Sequence, residues 1–215
     1  MMKNGTFFIS IEERSRVRPS VWDPYFYRGT GINQNLGEYV TVARPKTLST
    51  TRGTQFSPIE YRHISKDRHL SFSLQEVEDS EALRSKWPLV GELELLFGTM
   101  RAYLGNVLVT PKAKWLNLAG PLLFPVKSEF LQIRPFDNCL FFWWAYFQAP
   151  TFLANLPLGS GGTRPRLHQE ALLLTPVSVP SLDARTYIHN ELVACAEREW
   201  KEYRHKIRIL SSLSF

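Results

Sequence analysis

The chain is short of several things that would have declared its chemistry. It has two cysteines, Cys139 and Cys195, 56 positions apart in apolar surroundings. A distant pair of that kind is no disulfide framework, which argues for a reducing compartment, the cytoplasm. Its five histidines, at 63, 69, 168, 189 and 205, show no ligand spacing and form no knuckle with the cysteines. The most apolar run, Cys139 to Phe147, falls far short of the about 20 residues a membrane helix needs. The N-terminus turns polar within a few residues, unlike a signal peptide.

Nucleotide and hydrolase motifs are missing as well. Gly159-Ser-Gly-Gly-Thr163 has glycines in number, but no Lys-Ser/Thr follows, and a helical stretch precedes it rather than a strand. Ser160 lacks the residues of a nucleophile elbow. Asp67, Glu76, Glu78 and Asp79 are scattered over a polar stretch and make no nuclease constellation. With no catalytic set in the sequence, binding is the expected role, with no cofactor held by this chain.

Acidic residues are absent from three stretches. Between Gly98 and Ser128 there is none, while Arg101, Lys112, Lys114 and Lys127 are present. Arg44, Lys46 and Arg52 lie in a second such run before Glu60, and Arg164 and Arg166 in a third from Asn138 to Gln169. The formal net charge is +6. Surfaces without interspersed carboxylates suit a phosphate backbone, although an ordinary basic surface reads the same way in one dimension.

What is present is a core-sized set of aromatics, with 14 Phe, 8 Tyr and 6 Trp. The coarse reading runs from short strands to helices, which predicts an α+β fold and not an alternating parallel one. Leu36–Val42 reads as helix or strand, and 59–64 as a strand with Tyr61 and His63 on one side. Residues 71–78 alternate as a strand would. Residues 93–100 and 103–110 read as two strands joined through a glycine-containing turn. Residues 115–126 look like broken strand. Phe141–Phe147 is expected on a helix ended by Pro150, with a second short helix over 151–156.

From Leu182 on, Thr186, His189, Val193, Ala196, Trp200, Tyr203, Ile207 and Leu210 recur at steps of three and four. That is one stripe along a long helix. Ile188, Leu192 and Cys195 widen it. Such a helix either folds back on its own domain or projects toward a partner.

Three segments carry a family resemblance. Phe97–Val107, FGTMRAYLGNV, resembles the stretch in DNA specificity (S) subunits of type I restriction–modification systems where an Arg-Pro-Tyr-Leu pattern closes one strand and opens the next. The tract from Cys139 to Leu182 is similar to that family's passage into its long helix. Trp22–Tyr27, WDPYFY, is similar to the start of a target recognition domain. The likeness covers roughly residues 18–210. Arg101-Ala102 stands where Arg-Pro is usual, and Gly105 where Asn often stands. S subunits usually hold two recognition domains separated by long antiparallel helices. This sequence has one of each, and so resembles a half subunit.

The resemblance implies an extension over 1–17, a target recognition domain of short twisted strands and packed helices over 18–181, and a coiled-coil-like dimerisation or partner helix over 182–215. It implies a non-catalytic subunit that reads part of a bipartite site in double-stranded DNA. It would position a DNA methyltransferase subunit, and with it a translocase–nuclease subunit. S-adenosylmethionine, ATP and Mg are then expected only in the partners. DNA contacts are expected from Lys46, Thr50, Thr51, Arg52, Gln55, Arg62, Arg101, Lys112, Lys114 and Arg166, since arginine reads guanine and lysine serves phosphate. The partner surface, or a homodimer through the helix, is expected at Val193, Trp200, Tyr203, Ile207 and Leu210. A standalone dimeric DNA-binding regulator and a non-nucleic-acid scaffold are the alternative readings.

Overall fold

A computed structural model describes residues 34–45, 56–64, 67, 69–76, 87–161 and 163–212. The fold is α+β with a long C-terminal helix. Its centre is a four-stranded antiparallel sheet in the order β1-β6-β3-β4, built from β1 (Val40–Ala43), β3 (Leu95–Gly98), β4 (Val107–Val109) and β6 (Phe130–Pro135). A two-stranded ribbon, β2 (Leu89–Val90) with β5 (Phe124–Pro125), stands beside it.

The strands form where side chains can be buried on one face or both. In β1, Val40 and Val42 turn inward while Thr41 and Ala43 face water. In β3, Leu95, Leu96 and Phe97 are all fully buried, so both faces of this central strand are covered. Phe97 meets Phe147 and Phe152 edge-on, 5.6 and 6.4 Å between ring centres. These two rings come from the helical side of the core.

Helix α1 (Leu140–Tyr146) carries the aromatic run. The Asp137 carboxylate accepts the Cys139 N–H at 2.9 Å just ahead of its first turn. Trp143 and Trp144 lie in the core. The helix stops four residues before Pro150. That proline instead opens α2 (Pro150–Ala154), where a missing N–H costs nothing. A short α3 (Gln169–Leu173) follows the glycine loop, and its Gln169 amide donates to the Val42 carbonyl at 2.9 Å.

Helix α4 spans Leu182–Ser212, and its stripe is divided in two. Val193 and Tyr203 are partly buried against the chain's own core, and Trp200 is 1% exposed, its ring edge-on to Phe72 at 5.0 Å. The polar flank is fastened too. Glu199 accepts the Leu70 and Ser71 N–H groups at 2.8 and 3.1 Å, and the Tyr203 hydroxyl accepts the Leu74 N–H at 2.9 Å. Arg204 pairs with Glu76. Of the positions expected at a partner surface, the chain's own domain thus covers Trp200 and part of Val193 and Tyr203. Beyond Tyr203, Ile207 is half-buried and Leu210 is exposed.

Other expectations shift as well. Residues 59–64 are not a strand: Tyr61–His63 is a 3-10 turn, closed by the His63 N–H on the Glu60 carbonyl at 3.0 Å. The His63 ring nitrogen Nδ1 accepts the Glu60 N–H in return, so a side chain takes the place of a ladder partner. The broken strand over 115–126 opens as a 3-10 turn, Ala113–Trp115, and is strand only at Phe124–Pro125. Leu36–Val42 is both things in succession, a 3-10 turn at Leu36–Glu38 and then β1. Residues 71–75 form no regular element in place of the expected strand, and Glu76 bridges to Phe56. The 1–17 extension and the Trp22–Tyr27 segment lie outside the described residues.

Candidate nucleic-acid interface

The register of the sheet sorts the basic residues. In the β3–β4 hairpin, Leu95 faces Val109 and Phe97 faces Val107. Arg101 follows the end of β3, whereas Lys112 and Lys114 follow the end of β4. The two sets consequently lie at opposite ends of the hairpin, although they share one acid-free run of sequence. Lys112 rests 5.6 Å from the Trp115 ring, and Lys114 lies on the α4 side, where its charge acts on Glu197.

At the Arg101 end, four cations collect. The Tyr61 hydroxyl is the hub: it donates to the Glu129 carbonyl and accepts the Met100 N–H, each at 3.2 Å. Next to it, Arg62 pairs with Glu60 at 3.3 Å, and Lys127 reaches the same carboxylate at 3.2 Å while lying 3.8 Å over the Trp87 ring. Arg166 pairs with Glu129 at 3.6 Å. Two carboxylates thus pair with three of these cations, and with Arg101 the exposed arginines keep a positive excess. Burial pushes the Tyr61 phenol above its ordinary value of 10.0, so it remains a donor at neutral pH.

Arg101 is held in a conformation that side-chain-bearing residues avoid. Its φ is 50° and ψ 50°, the left-handed region. The Arg101 N–H donates to the Pro165 carbonyl at 2.9 Å, and the Leu167 N–H donates to Thr99 at 3.0 Å. The strap 165–167 therefore lies alongside 99–101 and fixes Arg101 beside Arg166. The guanidinium of Arg101 donates to the Thr163 carbonyl at 3.3 Å.

The glycine loop gives that strap its neck. Ser160 and Arg166 exchange two backbone hydrogen bonds at 3.0 and 2.8 Å. A Cβ on Gly159 would lie 2.8 Å from the Arg166 carbonyl carbon, so only glycine lets the backbones approach this closely. Ser160 Oγ and His168 Nε2, 2.7 Å apart and both on exposed residues, brace the same neck.

Of the sequence-derived candidates, Arg101 and Arg166 are set side by side and Arg62 adjoins their hub Tyr61 in sequence, whereas Lys112 and Lys114 lie at the other end of the hairpin. Lys46, Thr50, Thr51, Arg52 and Gln55 lie outside the described residues. β1 itself ends at Ala43, which pairs with Gln132 toward the Phe130–Gly98 end of the sheet, the Arg101 end. Sequence reasoning passed over Lys127 as a member of the site and Tyr61 as its hub. The acid-free runs pointed to the first, and no sequence signal pointed to the second.

A cavity of about 640 Å³ adjoins Arg101, walled by Ala102, Leu153, Leu156, Leu158 and Leu167. Tyr103 and Arg101 are the titratable residues that line it. Among the described residues no cluster of His, Cys, Asp or Glu could hold a metal ion, and no helix is long and apolar enough to cross a membrane.

Neither a family model nor a curated protein matches this sequence. One solved structure similar to it comes from a study of complex assembly and conformational transition of the type I R-M system, with a TM-score of 0.43 and 14% sequence identity. The likeness covers 82% of this chain and 42% of that chain, so this chain spans less than half the length of the solved one.

Proposed function

We propose that the chain is a DNA target-recognition module, a half specificity subunit that reads part of a bipartite site and positions a DNA methyltransferase partner, with no catalysis of its own. The observation that carries this reading is the gathering of Arg62, Lys127, Arg101 and Arg166 around Tyr61. Segments distant in sequence converge there, at the end of the sheet toward which β1 runs. A duplex lying on that end would meet Arg101 and Arg166 as a fixed pair and Arg62 at its flank. Lys46, Thr50, Thr51, Arg52 and Gln55 would supply the remaining polar contacts. The sequence resemblance of Phe97–Val107 and of the tract into α4 supports the same assignment.

The test is a titration of random-sequence duplex pools at two salt concentrations, with sequencing of the bound fraction. The expected result is salt-sensitive binding and enrichment of a short asymmetric motif. Removing Arg101 and Arg166 together should flatten the log–log salt dependence by about two. Binding that ignores salt, or that enriches nothing, both alone and with a methyltransferase partner, would overturn the reading.

A further inference from the structure

Arg101 and Arg166 are presented by two chain segments that share no covalent neighbour. Something must fix their separation if they are to engage a duplex as a pair. The strap sets one side: Met100 and Arg166 lie opposite each other in an antiparallel bridge made by the Arg101 and Leu167 N–H groups. The Met100 N–H is not spent in that bridge and donates to the Tyr61 hydroxyl. The same hydroxyl donates to the carbonyl of Glu129, whose carboxylate pairs with Arg166. One oxygen atom therefore ties the residue before Arg101 to the residue that holds Arg166.

The seat for that oxygen is built. Gly98 clears the way for the ring, because a Cβ there would lie 2.4 Å from Tyr61 Cε1 and 3.0 Å from the Asn106 carbonyl oxygen. Phe130 braces the ring at 5.0 Å between centres. The Glu129 carbonyl also receives the Thr99 hydroxyl at 2.8 Å and the Thr99 N–H at 2.9 Å. That carbonyl stays satisfied if the phenol is lost, whereas the Met100 N–H loses its acceptor. The phenol's effect is consequently directed at the Arg101 segment.

We propose that Tyr61 is a positioning residue for nucleic-acid binding: its hydroxyl sets the spacing of the Arg101 and Arg166 guanidinium groups, and so the affinity for a duplex phosphate backbone. This rests on the DNA-binding reading above. Tyr61 does not itself touch the ligand in this assignment. It acts through Met100 and Glu129.

The experiment is a double-variant cycle on the full chain, with duplex affinity measured at fixed salt. Tyr61→Phe keeps the ring and removes both hydrogen bonds; it should weaken binding roughly 3- to 10-fold, the worth of one or two hydrogen bonds. In a chain already carrying R101A and R166A, Y61F should cause no further loss. A merely structural role would not show that dependence. Thr110→Val serves as the control: its hydroxyl is fully buried at the other end of the hairpin, donating to the Gly91 carbonyl at 2.8 Å, and its loss should lower stability without moving affinity. If Y61F does not fold, Gly98→Ala puts the same question by displacing the ring, with the same expected coupling. Wild-type affinity in Y61F or G98A, while the arginine variants bind weakly, would overturn the positioning role and leave the DNA reading standing. So would an equal loss in the arginine-less background. Arginine variants that bind as wild type does would overturn both.

Discussion

The Arg185 Nε donates to the Asp137 carboxylate at 2.7 Å, with the two side chains only 12% and 9% exposed. This pair joins the first turn of α4 to the segment that starts α1. Asp137 also accepts the Trp143 indole N–H at 3.1 Å and the Cys139 N–H, so one carboxylate takes three donors from two helices. Asp137→Ala leaves a guanidinium and an indole N–H without their acceptor in a largely dry site. Equilibrium urea unfolding should show a loss of about 3 kcal/mol, the range found when one partner of a buried pair is removed. Replacing Arg185 alone should cost a comparable amount, and the double variant less than the sum of the two.

Arg101 supplies a trade between stability and binding. A non-glycine residue in the left-handed region carries a strain of about 1–2 kcal/mol. Arg101→Gly relieves it, while the Arg101 N–H bond to Pro165 survives because it is made by the backbone. The variant should be at least as stable as the parent in thermal melts, yet bind duplex DNA more weakly. Arg101→Ala keeps the strain and loses the same charge, so its stability should stay near the parent's. A destabilised Arg101→Gly would mean that the guanidinium bond to Thr163 outweighs the strain.

Gly159 tests the neck of the strap. An alanine Cβ there meets three backbone atoms of Arg166 at 2.8 to 2.9 Å, none of which can rotate aside. Gly159→Ala should open the Ser160–Arg166 pair and cost roughly 1–3 kcal/mol, the usual penalty of forcing atoms into a filled space. Amide exchange at Ser160 and Arg166 should speed up first, since theirs are the hydrogen bonds that span the neck.

The hairpin and the long helix were legible in the sequence because their signals are local. Gly105-Asn106 punctuates the β3–β4 connection, with Gly105 at φ +63°, and the three-and-four spacing of α4 is a property of one segment. The turn at Tyr61–His63 was not, because six residues of mixed polarity alternate in a turn as they do in a strand. The His63 ring, accepting the Glu60 N–H, decided between them. Within the site, Arg101 and Arg166 were marked by the absence of nearby acids. Lys112 and Lys114 carried the same mark and sit elsewhere, since a hairpin sends the two halves of one run to opposite ends. That Glu60 and Glu129 would come to partner those cations depends on contacts between segments 67 and 37 positions apart, which no local pattern encodes.

Trp200 and Leu210 share a stripe and should behave as different kinds of residue. Trp200 fills the space between Phe72 and Tyr203, at 5.0 and 5.4 Å between ring centres. Trp200→Ala should cost about 3–5 kcal/mol, as large-to-small changes in a packed core do. Leu210, one stripe position on from Ile207, is 51% exposed. Leu210→Ser should change stability by no more than about 0.5 kcal/mol. Sedimentation of both variants then separates fold from association: any dimer formed through the end of α4 should weaken in Leu210→Ser while the monomer stays intact.

The pH dependence of stability should trace to two histidines that the fold holds neutral. His189 Nδ1 accepts the Phe141 N–H at 3.1 Å, and His63 Nδ1 accepts the Glu60 N–H at 3.1 Å; a protonated ring could accept neither. Burial holds His189 below its ordinary value of 6.5, and burial with the Arg62 charge does the same for His63. Each ring therefore binds its proton more readily in the unfolded chain. Their contribution is present in full above 6.5 and is lost as pH falls through the lower folded values. Unfolding free energy should thus decline on acidification from pH 7.5 through 6.5 and below, before most carboxylates titrate. In a His63→Gln, His189→Gln double variant, whose side-chain carbonyls can accept the same N–H groups without titrating, that part of the decline should be gone. A double variant whose stability fell with the parent's slope over this window would place the titrating groups elsewhere, among the remaining histidines.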